Sequence, residues 1–176
     1  MSKPTLYHCK NARSLRPLWA MEELGVAYDL VNLVAICQYL VDKLLSHKLA
    51  ISPDEPDYGA YLNWLHYADA TLTFPQTIVL RYTILEPETR RQPVVSQDYA
   101  KWFAGRLRAV ESILEERFWL VGDRFTIADI AVGYGLFLSQ DIPALKDSLG
   151  PNARAYLERL CKRPAFKRAM KRQNSA

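Results

Sequence analysis

The residues best placed to do chemistry stand near the front of the chain, in Cys9-Lys10-Asn11-Ala12-Arg13-Ser14. Ser14 sits where a helical pattern begins. Its hydroxyl either accepts from a backbone N–H as an N-cap or donates to an anion held beside it. Asn11 offers an amide N–H for the same purpose, or is simply a turn residue. Cys9 lies beside His8 and Lys10 and near a helix N-terminus, surroundings that lower a thiol's pKa and favour the thiolate. Arg13 and Arg16 could draw in an anionic ligand. For Arg16 the other reading is packing, or an ion pair with an acidic residue of a second domain.

The remaining titratable groups make no such cluster. The cysteines at 9, 37 and 161 are far apart and include no CxxC, which argues against both a disulfide framework and dithiol redox chemistry. The histidines at 8, 47 and 66 show no ligand spacing with them, so no metal site is expected. Cys37 and Cys161 fall on apolar helix faces and read as small hydrophobes; His66 reads as structural. The net charge of +4 and pI near 9.0 suit attraction of small anions. The C-terminal run Lys162, Arg163, Lys167, Arg168, Lys171, Arg172 reads as a solvated helix face rather than a nucleic-acid site. No apolar run reaches the 18 or so residues of a membrane span, and MSKPTLYH has no signal-peptide core. No membrane association is expected, and a cytoplasmic location follows by default.

These residues need elements to position them. With 49% apolar and 24% charged residues the chain is a folding one. Thr5-Leu6-Tyr7 reads as a strand, Ser14 to Gly25 as a helix closed by glycine, and Val26 to Leu33 as a second strand. From Val34 the spacing turns helical at once, through Ile36, Tyr39 and Leu40 to about His47, with no loop between. Ser52-Pro53-Asp54-Glu55 looks like a capped helix start, which Pro56 could delay by a residue or two. A long amphipathic helix should follow, kinked near Pro75. Another spans about Ser96 to Phe118. The clearest start is Phe125-Thr126-Ile127-Ala128-Asp129-Ile130, with Thr126 as N-cap, Asp129 at N3, and Phe125 and Ile130 as a hydrophobic staple. The helix it opens is apolar nearly all round to Leu138 and should be the buried centre of a bundle. Helices at about 153–161 and 164–171 close the chain. The fold class is therefore α/β plus all-α.

At this point the sequence resembles the cytosolic glutathione transferases. The resemblance covers nearly the whole chain and rests on LYHCKNARSLRPLWAMEELGVAYDL, AICQYLVDK, YLNWLHYADATL, LVGDRFTIADIAVGY and LERLCKRPAFKRAM. It implies a thioredoxin-like domain over 1–47 and an all-α domain over 52–176. The family's first domain runs β-α-β and then α-β-β-α. Here AICQYLVDK resembles its last helix, and roughly forty residues of helix, two strands and loops have no sequence to occupy. The expected architecture is thus a truncated thioredoxin-like segment followed by a glutathione-transferase-type helical bundle, joined near Leu33-Val34.

The resemblance implies attack of the glutathione thiolate on a small apolar electrophile, with glutathione as co-substrate and no other cofactor. Ser14, Asn11 and Cys9 are then the catalytic candidates. In some branches of the family a cysteine in this loop forms a mixed disulfide with glutathione. Arg13 and Arg16 are the glutathione-binding candidates. Tyr61, Trp64 and Tyr67 would line the electrophile pocket, although an aromatic stripe at helical spacing is more often core than pocket. The missing block would carry the family's cis-proline loop, and no proline lies between Pro17 and Pro53. Nor are Asn32, Leu33 and Val34 the acidic and hydroxyl residues that the family sets ahead of its last helix. A non-catalytic binding or scaffolding module is therefore the alternative reading. Detoxification and a homodimer are further family expectations, the second weakened by the loss within the first domain.

Overall fold

The computed structural model of the chain describes residues 5–6, 15–25, 29–30, 37–43 and 47–175. Strands β1 (Thr5–Leu6) and β2 (Asp29–Leu30) pair in parallel, Thr5 opposite Asp29 and Leu6 opposite Leu30. Helix α1 (Leu15–Leu24) connects them and ends at Gly25, whose φ of +63° is open to glycine without a Cβ penalty. Helix α2 (Cys37–Lys43) follows, then a short 3₁₀ turn at His47–Leu49. The junction at Leu33-Val34 lies outside the described residues.

Ser52 to Glu55 forms the hydrogen bonds of a cap without the helix. Glu55 Oε1 accepts from the Ser52 N–H at 2.7 Å, and the Glu55 N–H donates to the Ser52 carbonyl at 2.9 Å. Pro56 sits where a helical N–H would next be needed, so helix α3 starts only at Tyr58. From there helical backbone continues to Leu85 through α3 (Tyr58–Tyr67), a π segment (Ala68–Thr73), α4 (Phe74–Leu80) and a second π segment (Arg81–Leu85). The disturbance expected at Pro75 takes the form of the π segment just before it. A wider turn there relieves the clash between the proline ring and the preceding carbonyls.

Helix α5 spans Pro93–Glu116, α6 Ile127–Gln140, α7 Pro151–Cys161 and α8 Pro164–Ser175. The start of α5 moves forward to Pro93 because proline suits the first helical position. Helix α6 is buried over most of its length and is the axis of the bundle. It packs on α1, α3 and α7, while α4 lies along α5 and α8 along α1. Gly133 is where α6 admits its neighbours. A Cβ there would meet Leu160 Cδ1 at 2.4 Å and the Trp19 ring at 3.6 Å.

Thr126 and Asp129 form the anticipated capping box. The Ala128 N–H donates to Thr126 Oγ1 at 3.2 Å, and Asp129 Oδ2 accepts from the Thr126 N–H at 2.7 Å. Asp129 Oδ1 is also bound, by Tyr156 Oη at 2.7 Å and the Leu120 N–H at 3.1 Å. Burial raises the Asp129 carboxyl above the ordinary aspartate range, and these donors pull it back. Replacing Asp129 by Ala should destabilise the fold by about 3–5 kcal/mol, since four buried donors, the Thr126 hydroxyl among them, lose their acceptor. Urea unfolding checks this, and a loss below about 1 kcal/mol would contradict it.

Asp57 makes a second tie. Its carboxylate accepts from the Gly122 N–H at 2.9 Å and from Arg117 Nη1 at 2.9 Å, joining the start of α3 to the turn before α6. The Gly122 N–H first, and Arg117 second, hold the Asp57 carboxyl below its usual range. A lowered folded pKa contributes stability above the unfolded value, about 3.9, and loses it as pH falls through the folded value. Asp57→Asn should therefore flatten the dependence of Tm on pH below about 4, measured by thermal melts.

Candidate active site

The first turn of α1 is fixed from two sides. Arg16 is 6% exposed. Its Nη1 lies 2.9 Å from Asp69 Oδ1, and its guanidinium stands 5.3 Å from the centre of the Tyr134 ring. Asp69 belongs to the π segment and Tyr134 to α6, so three elements meet at this arginine. The ion pair with a second-domain acid, one of the two readings of Arg16, is what forms. Which acid was also open to deduction, because Asp69 is the one acidic residue between Tyr58 and Leu85. Tyr134 carried no comparable signal, since its place on a helix apolar all round does not say which neighbour it meets.

Cys37, the first residue of α2, feels the same pair. Burial pushes its thiol up to about 12, with Arg16 opposing and Asp69 adding to the rise. Burial likewise raises Cys161 to about 11. Both thiols are protonated at neutral pH and pack as small hydrophobes.

The aromatic stripe of α3 divides. Tyr61 is fully buried and its hydroxyl donates to Gln38 Oε1 on α2 at 3.1 Å. Burial raises that phenol well above its ordinary range. Trp64 is 8% exposed and meets the half-buried Tyr67 edge to face at 5.0 Å. The Tyr67 hydroxyl donates to the Arg106 carbonyl on α5 at 2.5 Å. His66 is exposed rather than packed. Cys9, Asn11, Arg13 and Ser14 lie outside the described residues. Of the candidates, the structure thus brings Arg16 to the junction of α1 with the bundle and sets Tyr61 at the α2–α3 contact. Among the described residues no group of His, Cys, Asp and Glu could hold a metal ion.

Residues 77–164, half of the chain, match the family model of the glutathione S-transferase C-terminal domain. The chain belongs to the glutathione S-transferase family. Glutathione S-transferase 2 of Schizosaccharomyces pombe is 29% identical over 149 residues, which cover 76% of this chain and 63% of that protein. The chain spans less than two thirds of the length of the curated relatives it matches. Among solved structures, Ure2p5 from Phanerochaete chrysosporium, cocrystallised with 1-(S-glutathionyl)-2,4-dinitrobenzene, superposes with a TM-score of 0.85. It is 20% identical, and the match covers 99% of this chain and 96% of that one. A glutathione transferase from Methylococcus capsulatus gives 0.84 at 23% identity, covering 98% and 99%. The fold of this glutathione S-transferase-family chain, with its helical C-terminal domain, is that of these enzymes.

The Arg16–Asp69 pair should hold α1 to the second helix measurably. Arg16→Met is expected to cost about 1–2 kcal/mol, discounted because Asp69 is half exposed. A double-mutant cycle with Asp69→Asn should show a coupling energy, and strict additivity of the two losses would contradict the pair.

Proposed function

We propose that this chain is a glutathione transferase that joins the glutathione sulfur to small apolar electrophiles, and that it holds the tripeptide weakly. Family membership together with the locked first turn of α1 carries this reading. Ser14 immediately precedes that turn, so Arg16, Asp69 and Tyr134 steady the backbone next to it. A free thiol is mostly protonated at neutral pH and needs a donor to become the nucleophile. Ser14 is assigned that donor role, with Asn11 and Cys9 as its neighbours in the same loop. The thiolate attacks the electrophilic carbon, the leaving group departs with its electron pair, and the sulfur–carbon bond of the conjugate remains. Arg13 is assigned the anionic ends of glutathione, whereas Arg16 already serves Asp69 and acts by positioning. The electrophile lies against the helix bearing Tyr61, Trp64 and Tyr67, where the less buried Tyr67 is the one of the three with ring surface to offer.

In this reading residues 1–47 are a shortened thioredoxin-like segment and 52–176 the helical domain. The absence of any proline between Pro17 and Pro53 removes the loop that would present backbone to the cysteinyl part of glutathione. That same feature supports the second reading, a non-catalytic binding module. A homodimer belongs to the proposal as well. Among the described residues six large hydrophobics are exposed, Phe74, Ile84, Leu85, Val94, Trp102 and Phe118, and all but Phe118 lie on the 58–85 helix or α5. No described helix is long and apolar enough to cross a membrane.

Steady-state turnover of glutathione with 1-chloro-2,4-dinitrobenzene tests the enzyme reading. Conjugation with a glutathione KM above about 1 mM is expected, at the weak end of the usual range. Ser14→Ala should lower kcat/KM about a hundred-fold, as loss of a single stabilising donor does. A folded sample with no turnover at any glutathione concentration would leave the binding-module reading standing instead.

A further inference from the structure

Ser52-Pro53-Asp54-Glu55 has the hydrogen bonds of a helix cap but opens no helix. Ser52-Pro53 is also the one Ser-Pro or Thr-Pro dipeptide among the 176 residues. A proline keeps the residue before it out of the α region and leaves it extended. Ser52 accordingly lies outside any helix, and the chain turns only after it, at 53–54. Pro53, Asp54 and Pro56 are exposed and Ser52 is half-buried. Glu55 holds the Ser52 N–H; the Ser52 hydroxyl has no hydrogen-bond partner among the described residues. An extended serine whose hydroxyl supports nothing else, followed by proline, is what a proline-directed protein kinase can take up.

The surroundings make a charge at Ser52 consequential. Glu55 Oε1 accepts from the Ser52 N–H at 2.7 Å and from Arg124 Nη2 at 2.7 Å. Arg124 Nη2 also donates to the Ala50 carbonyl at 2.8 Å. Ile51, 2% exposed, fills the space beside Gly122 that a Cβ would need. Residues 50–52 are thus fastened to the turn before α6 by one buried side chain and one arginine, and that arginine shares its carboxylate oxygen with Ser52.

We propose that Ser52 is a phosphorylation site and that its phosphate releases the Ser52–Glu55 turn. The Ser52 Oγ attacks the γ-phosphorus of ATP. The new P–O bond forms as the bond to the β-phosphate oxygen breaks, ADP leaves with that electron pair, and the hydroxyl proton passes to the kinase's base. The phosphate carries about −1.5 to −2 charge and three acceptor oxygens, against a single charge on Glu55. It repels Asp54 and Glu55, its near neighbours in the chain, and attracts Arg124, one hydrogen bond away through Glu55. Arg124 turns to the larger charge. Glu55 swings out, and the Ser52 N–H loses its acceptor. The switch therefore sits on the segment that joins the 3₁₀ turn at His47–Leu49 to α3.

The folded whole chain is incubated with ATP, magnesium and either a cyclin-dependent or a mitogen-activated kinase, and phosphate is located by mass spectrometry. One phosphate at Ser52 is expected. Ser52→Ala should take up none there while keeping its Tm, since the hydroxyl it removes bonds nothing described. In the phosphorylated chain the Ser52 and Glu55 amides should exchange about ten-fold faster or more, with Val132 in α6 unchanged. No phosphate at Ser52 from either kinase, phosphate there only on heat-unfolded chain, unchanged exchange of the two amides, or acceleration that spreads to Val132 would each overturn the proposal.

Discussion

A carboxylate closed off from water by its own helix organises this molecule. Asp129 is buried at the first turn of α6, where an unpaired charge would be intolerable, and its oxygens are met from three segments: the cap at Thr126, the turn at Leu120 and the α7 ring of Tyr156. The network fixes the entry angle of α6, the axis on which the other helices stack. It also ties α7 and the 117–126 turn to that axis, so the three cannot shift independently.

Helix α1 is fastened to this frame by packing and by charge. Trp19 lies edge-on to Phe166 at 4.9 Å and tilted to Phe125 at 5.9 Å, over the place that Gly133 leaves open. Glu22 receives Arg168 and Arg172 from α8, each at 2.8 Å, and Glu23 receives Arg163. Half of the basic C-terminal run is therefore spent on two acids of α1 rather than offered to a polyanion. Among the described residues, α1 is held chiefly by α8, α6 and α2.

Several of these features were legible in the residues themselves. Thr126 and Asp129 state their role by type and spacing, because a local cap needs only neighbours in sequence. Gly25 marks the end of α1 for the same reason. For Arg16 an ion pair was one reading beside packing and ligand binding, and the 58–85 stretch contains a single acid. What was not legible required distant partners: Tyr156 and Leu120 completing the Asp129 network, or Asp57 reaching Gly122 and Arg117. Ser52 to Glu55 carries a cap's hydrogen-bonding pattern but is interrupted by Pro56, so local chemistry was right and the element began three residues beyond it. The π segments were hidden because nothing in the side-chain pattern distinguishes a widened turn from a proline kink. The catalytic candidates Cys9, Asn11 and Ser14 and the glutathione-binding candidate Arg13 remain proposals, carried by residue type and by the family.

The Asp129 network belongs to the global core and does not open on its own. Native-state hydrogen exchange of the Leu120 and Thr126 amides, both donated to Asp129, tests this directly. The predicted result is protection equal to that of Val132 and Gly133 in the middle of α6, with exchange only through global unfolding. Exchange of either amide orders of magnitude faster than those residues would contradict it.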